Sequence, residues 1–188
     1  MWFYTALITS VITAIIAIVG KKLVANVSAS VLTWATLVLA TPIIFIFVLK
    51  EGVPQLNYLF LLGVTGSVLF YTASPFPQNT TFTLFIENLM VIFGLLPVLY
   101  VRNKNFHQQI TGNIKLFLLL GLINAVSTML GFSAIGGGSI GLVATILKTQ
   151  VLFVLLFSYI AFKDKPKFET LMGSVVMIAG VVLIKIGL

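Results

Sequence analysis

Trp2–Gly20 reads WFYTALITSVITAIIAIVG, a run without a single charged side chain, closed by Lys21-Lys22. At 1.5 Å per residue, about 20 apolar residues cross the hydrocarbon core of a bilayer, and this run has that length and character. It lacks a basic segment before it and a small-residue cleavage site near Gly20, so it reads as a retained membrane helix rather than a signal peptide. The same criterion, carried outward along the chain, marks seven segments: residues 2–20, 30–49, 57–73, 81–101, 114–135, 139–162 and 168–187. The third is the weakest, being short, carrying Gly63 and Gly66, and ending in Ser74-Pro75-Phe76-Pro77, which breaks a helix.

Composition points the same way. Of 188 residues, 60% are hydrophobic and 8% charged, whereas soluble domains run near 45–50% apolar and about 25% charged. Only lipid accepts so much apolar surface, provided each helix pairs its own backbone amides. The expected fold is an all-α polytopic transmembrane bundle of about seven helices, with 1–188 as a single transmembrane domain. The connections are short, so successive helices run antiparallel and no soluble domain fits between them. The net charge of +7 comes from Lys and Arg lying between apolar runs, not on a basic face interleaved with aromatics. It therefore reads as topology-setting charge and gives no sign of a nucleic-acid partner.

If all seven segments span, Lys50, Arg102, Lys104, Lys115, Lys163, Lys165 and Lys167 gather on one side. Lys21, Lys22 and Lys185 fall on the other, with Lys148 inside a segment. The majority side is then expected to be cytoplasmic, although Lys21-Lys22 directly after the first helix argues for the reverse, and if segment 57–73 is re-entrant or interfacial the assignment after it flips.

Helices in lipid associate through small residues and interhelical hydrogen bonds. Gly173, Gly180 and Gly187 recur every seven residues on the last segment and form a helix-packing stripe. Thr5, Thr9 and Thr13 share one face of the first segment, and Asn124, Ser127, Thr128 and Gly131 one face of the fifth. Such stripes serve either as packing seams or as cavity lining. Two ionisable residues, Glu87 and Lys148, lie within segments, where each costs roughly 2.5–3.5 kcal/mol on the insertion scale. Their depths are similar, and Asn124 on the intervening helix lies at a comparable level. These positions, with Asn88, Thr149 and Gln150, are the candidates for a substrate or ion pathway; the competing reading is a structural ion pair or two snorkelling side chains.

Other chemistry is missing. There is no cysteine, and the one histidine, His107, sits in a polar connection without a second metal ligand. Gly136-Gly137-Gly138-Ser139-Ile140-Gly141 lacks the Lys-Ser/Thr of a phosphate loop and reads as a tight helix–helix turn. No metal, no cofactor and no enzymatic activity are expected.

The stretch from Ala134 to Lys185 resembles the end of an EamA-type repeat of the drug/metabolite transporter superfamily. The resemblance rests on Phe162-Lys163-Asp164, a short polar turn, then Gly173 and Gly180-Val181. Residues 2–22 look like a repeat-opening helix, so 2–73 resembles the first three helices of such a protein and 81–187 the last four. Family members are similar ten-helix proteins of two inverted repeats with a solute cavity between them. This chain lacks about three helices near Ser74–Thr80, as a shortened member, a truncated chain or a half-size unit paired with another chain would. The resemblance implies a small-molecule solute as partner, secondary transport or exchange, and a bacterial or archaeal cytoplasmic membrane. The alternative is a non-transporting subunit, or a half-transporter completed in a homo- or hetero-dimer.

Overall fold

A computed structural model of the chain describes residues 1–24, 26–52, 80–103, 105–163 and 168–187. Among these every element is helical: α1 (Trp2–Val24), α2 (Ala29–Glu51), α3 (Thr80–Arg102), α4 (Phe106–Gly112), α5 (Ile114–Gly137), α6 (Ile140–Leu147), α7 (Gln150–Phe162) and α8 (Phe168–Ile186). Taking α6 and α7 as one stretch, five are long and apolar enough to cross a membrane; α8 contributes a shorter apolar helix. The protein is a polytopic helical membrane bundle, as its composition requires. Segment 57–73 lies outside the described residues.

Local chemistry sets the helix ends. Ser28 caps α2, its hydroxyl accepting the Val31 N–H at 3.4 Å. Gly52 closes the same helix at φ 87, a left-handed backbone that suits a residue without Cβ. Pro42 and Pro97 lie inside α2 and α3, and neither ends its helix.

The helices pack around α5, which lies against α1, α2 and α3, while α6 and α7 cover α1 from the other side. One core layer joins Leu23, Val27, Val31, Leu99, Phe106 and Phe117; a second joins Ile44, Val48, Phe82 and Ala125; a third joins Ala6, Ala134, Val143 and Ile146. The closest backbone approach is at Gly121. A Cβ built there would stand 2.7 Å from Leu39 Cβ and 3.0 Å from its carbonyl carbon, so only glycine lets α2 and α5 meet at this level.

The structure revises the side assignment. Trp34 Nε1 donates to Ile92 O at 3.1 Å, and Asn103 Nδ2 donates to Ser30 Oγ at 3.1 Å. The start of α2 thus lies beside the end of α3, and the two run antiparallel as direct neighbours. Glu51 and Thr80 consequently lie at the same end of the bundle, whereas the seven-segment count put them at opposite ends. Lys21 brings the end of α1 to the end of α7, with Nζ 3.5 Å from Ser158 Oγ and 4.5 Å from the centre of the Phe162 ring. Among the described residues Lys21, Lys22, Arg102, Lys115 and Lys163 therefore share one end, and Lys50 stands at the other. The two topology signals that conflicted in the sequence now agree: the cations after the first helix belong to the basic majority.

Two further differences concern elements. The connection Arg102–Asn113 contains α4, whose Phe106 is buried against Trp34 and Tyr100 and whose Gln109 Oε1 accepts the Ser28 N–H at 3.2 Å. His107 lies exposed on α4 and stacks on Phe106. Segment 139–162 is interrupted: α6 stops at Leu147 and α7 starts at Gln150.

Candidate functional site

The break between α6 and α7 has no proline or glycine in Leu147-Lys148-Thr149-Gln150 to cause it. Its backbone shows how it is made. Lys148 and Thr149 lie at φ/ψ of −66/−17 and −62/−12. The Thr149, Val151 and Leu152 N–H groups each reach back three residues, to Ile146 O (2.9 Å), Lys148 O (3.2 Å) and Thr149 O (2.9 Å). These are 3₁₀ bonds, tighter than the α pattern on either side. The Ile146 carbonyl, which a continuous α-helix would match with the Gln150 N–H, accepts also from Thr149 Oγ1 at 2.6 Å and from Ser10 Oγ of α1 at 3.0 Å. Ser10 is fully buried, and Leu147 O lies 3.4 Å from the same hydroxyl. A side chain from α1 thus supports carbonyls released by the break, the usual condition for irregular backbone at membrane depth.

One turn along α1, Thr13 Oγ1 lies 2.8 Å from Ser127 Oγ on α5. Thr13 also donates to Thr9 O at 2.8 Å, and a hydroxyl has one proton, so Ser127 is the donor across the interface. Thr9 Cγ2 sits over Gly131, 3.3 Å from where a Cβ would be. The threonine stripe of α1 and the small polar stripe of α5 therefore face each other in a seam.

These contacts also fix depth. Ser10, Thr13, Ser127 and the Lys148–Thr149 break lie within a turn or so of the middle of their spans. Asn88 and Asn124 lie near the middle of α3 and α5. Their exposures differ widely. Asn88 is buried, 6% exposed, and its Nδ2 has no hydrogen-bond partner among the described residues. An orphan donor of this kind costs about 1–3 kcal/mol. Thr149 is buried at 2%, whereas Glu87, Asn124 and Gln150 are half-buried. Asn124 O accepts from Thr128 Oγ1 within its own helix.

Lys148 is exposed and forms no ion pair among the described residues. The competing reading, a structural Glu87–Lys148 ion pair, is not formed among the described residues: α3 packs on α2 and α5, while α6 and α7 pack on α1. Among the described residues Gly173 and Gly180 of α8 meet no neighbour, for nothing lies within 4 Å of a Cβ built at either; Gly187 is exposed just beyond the helix.

A cavity of about 640 Å³ opens between α7 and α8, with Leu7 of α1 at its base. Leu152, Phe153, Leu156 and Tyr159 form the α7 wall, and Leu171, Ser174 and Ile178 the α8 wall. Of the candidate pathway residues only Thr149 reaches it. The cavity is apolar, not the polar channel to Glu87 and Lys148 that would distinguish a pathway directly. Neither the break nor this cavity was legible in the sequence; the Lys-Thr-Gln interruption of an apolar run was the one available signal. No group of residues suited to a metal ion occurs among the described residues.

Comparison with curated proteins and with solved structures finds no significant match. The family model of the EamA-like transporter family matches residues 77–186, more than half of the chain, including α3, the broken span and α8. The chain belongs to the EamA-like transporter family, a group of the drug/metabolite transporter superfamily.

Proposed function

We propose that this protein moves a small organic solute across the cytoplasmic membrane of a bacterium or archaeon, by secondary transport or exchange. The observation that carries the reading is the interrupted α6–α7 span, with polar groups of α1 and α5 at its depth, inside the region that matches a transporter family. Transporters bind solutes near the midplane, at discontinuous helices whose unwound backbone and short polar side chains face the pathway. In this reading Lys148, Thr149 and Gln150 contribute from the break, Glu87 and Asn88 from α3, and Asn124 from α5. Glu87 is the mid-span carboxylate through which a proton would couple.

The experiment is solute uptake into proteoliposomes across amino acids, nucleosides and cationic drugs, with and without a pH gradient. Uptake of one class above empty vesicles, abolished by Glu87→Gln or Lys148→Met, supports the proposal. Absence of uptake for every class in a correctly inserted preparation overturns it.

A second reading has its own support. The α1–α5 seam is closed by Thr13, Ser127 and Gly131, and Gly173 and Gly180 of α8 face no helix among the described residues. Both suit a subunit or half-transporter whose pathway is completed by a second copy or another chain. Co-reconstituting active wild type with an inactive variant separates the two: activity falling in proportion to the inactive fraction indicates independent chains, and a steeper fall indicates assembly.

A further inference from the structure

The break at Lys148–Thr149 has an alternative already contained in its hydrogen bonds. Ser10 has one hydroxyl proton and three carbonyls within reach: Ala6 O of its own helix at 3.0 Å, Ile146 O at 3.0 Å and Leu147 O at 3.4 Å. The Ile146 carbonyl, with two lone pairs, is approached by three donors: Ser10 Oγ, Thr149 Oγ1 and the Thr149 N–H. Oversubscription of this carbonyl is what sets it apart from an ordinary helical one. Were Ser10 to keep its proton for Ala6 O, the Ile146 and Leu147 carbonyls could take the N–H groups of Gln150 and Val151, four residues on, and α6–α7 would become one continuous helix. No proline stands in the way.

We propose that the α6–α7 break is a screw joint held in its broken state by Ser10, and that withdrawal of this hydroxyl turns α7 about its axis and moves the α7 wall of the cavity. The size of the turn follows from helix geometry. A 3₁₀ residue advances 120° and 2.0 Å, an α residue 100° and 1.5 Å, so converting three residues rotates α7 by about 60° and shortens it by about 1.5 Å. Leu152, Phe153, Leu156 and Tyr159 travel with that rotation, while Leu7 stays with α1. Ser10 is in this account a positioning residue, which touches backbone and no solute. The inference concerns the joint itself and does not depend on the identity of any solute.

The chain has no cysteine, so single cysteines at successive positions from 151 to 160 and from 141 to 147 can carry spin labels in proteoliposomes. Oxygen accessibility along each helix gives a periodic profile, and the phase between the two profiles measures the joint. Wild type is expected to show the offset of a broken span. Ser10→Ala should shift the α7 phase by about 60° towards that of a continuous helix. Thr149→Val, which removes the second hydroxyl donor, should shift it in the same direction, whereas Thr145→Val, which removes an exposed hydroxyl bonded within α6 to Gly141 O, should leave it in place. Should Ser10→Ala fail to insert, Thr149→Val decides alone. An unchanged phase in the variants that insert, or an equal shift in Thr145→Val, overturns the proposal.

Discussion

Thr13 Oγ1 and Ser127 Oγ stand 2.8 Å apart at the centre of the bundle, joining the first helix to the fifth with Ser127 as donor. Interhelical hydrogen bonds in membranes average about 0.6 kcal/mol in double-mutant cycles, and reach at most about 1.7. A cycle through Thr13→Val and Ser127→Ala, followed by unfolding in mixed micelles, should give a coupling in that range. A coupling indistinguishable from zero would show that apolar packing alone holds the seam.

Gly121 should be the least tolerant glycine. A methyl there meets the backbone of Leu39 at 3.0 Å, and backbone cannot rotate away as a side-chain tip can. Gly121→Ala is expected to destabilise by about 1–3 kcal/mol through overpacking. Gly173→Ala and Gly180→Ala, with nothing within 4 Å among the described residues, should fall within about 0.5 kcal/mol of wild type in the same micellar unfolding assay.

Asn88 separates stability from activity. Its amide donor is buried and unmatched among the described residues, and an apolar replacement of similar shape removes that desolvation cost. Asn88→Leu should raise stability by about 1 kcal/mol while lowering uptake at least tenfold. Lower stability in Asn88→Leu would mean that the amide is satisfied in the membrane and has a structural role.

Lys148 should behave differently from a buried ion pair. Removing one partner of such a pair costs about 3–5 kcal/mol, but Lys148 is exposed and unpaired among the described residues. Lys148→Met is therefore expected to leave the melting temperature unchanged and to reduce solute uptake tenfold or more. Full uptake in both Lys148→Met and Glu87→Gln would remove the two charges from the pathway.

Topology can be read directly. With Lys21, Lys22, Arg102, Lys115 and Lys163 at one end, the positive-inside rule places that end in the cytoplasm and both the start of α1 and the end of α8 outside. A cysteine at Asn26 should react with an impermeant thiol reagent only in inside-out vesicles, and one at Gly52 only in intact cells. The opposite pattern would invert the whole bundle.

The described spans were legible because a bilayer demands the same thing of every helix, a continuous apolar run, and α1, α2, α3 and α5 each supply one. The facing stripes of Thr9 and Thr13 on α1 and Ser127 and Gly131 on α5 were visible too, since helical spacing reveals a face. What faces it is a matter of tertiary structure. Gly121 was overlooked although Gly121 and Ala125 are a small pair at four-residue spacing, because the clash that requires glycine belongs to Leu39. The side assignment was conditional on all seven segments spanning, and the sequence could not decide the condition because the adjacency of α2 and α3 depends on contacts such as Trp34 to Ile92, 58 residues apart. The α6–α7 break was hidden for the same reason: its support, Ser10, lies 136 residues away in sequence. The depth of Glu87, Asn124 and Lys148 follows from counting along a helix, whereas which of them meet depends on how α3, α5 and α6 pack, and α3 has α2 and α5 as its neighbours.

The hydroxyls of α1 also bear on how the protein is made. Thr9, Ser10 and Thr13 can each donate to the carbonyl four residues earlier, at 2.8, 3.0 and 2.8 Å. The first helix leaves the ribosome long before α5 and α6 exist, and it must wait in hydrocarbon with three hydroxyls on its surface. Turned inward on their own backbone, these groups offer no unsatisfied proton to lipid or to a wrong partner. When Ser127 arrives it brings its own proton to Thr13, and when Ile146 arrives Ser10 has only to swing from one carbonyl to another. Assembly of the late helices onto the early one thus leaves the Thr13 bond to its own helix in place and asks only Ser10 to exchange one carbonyl for another.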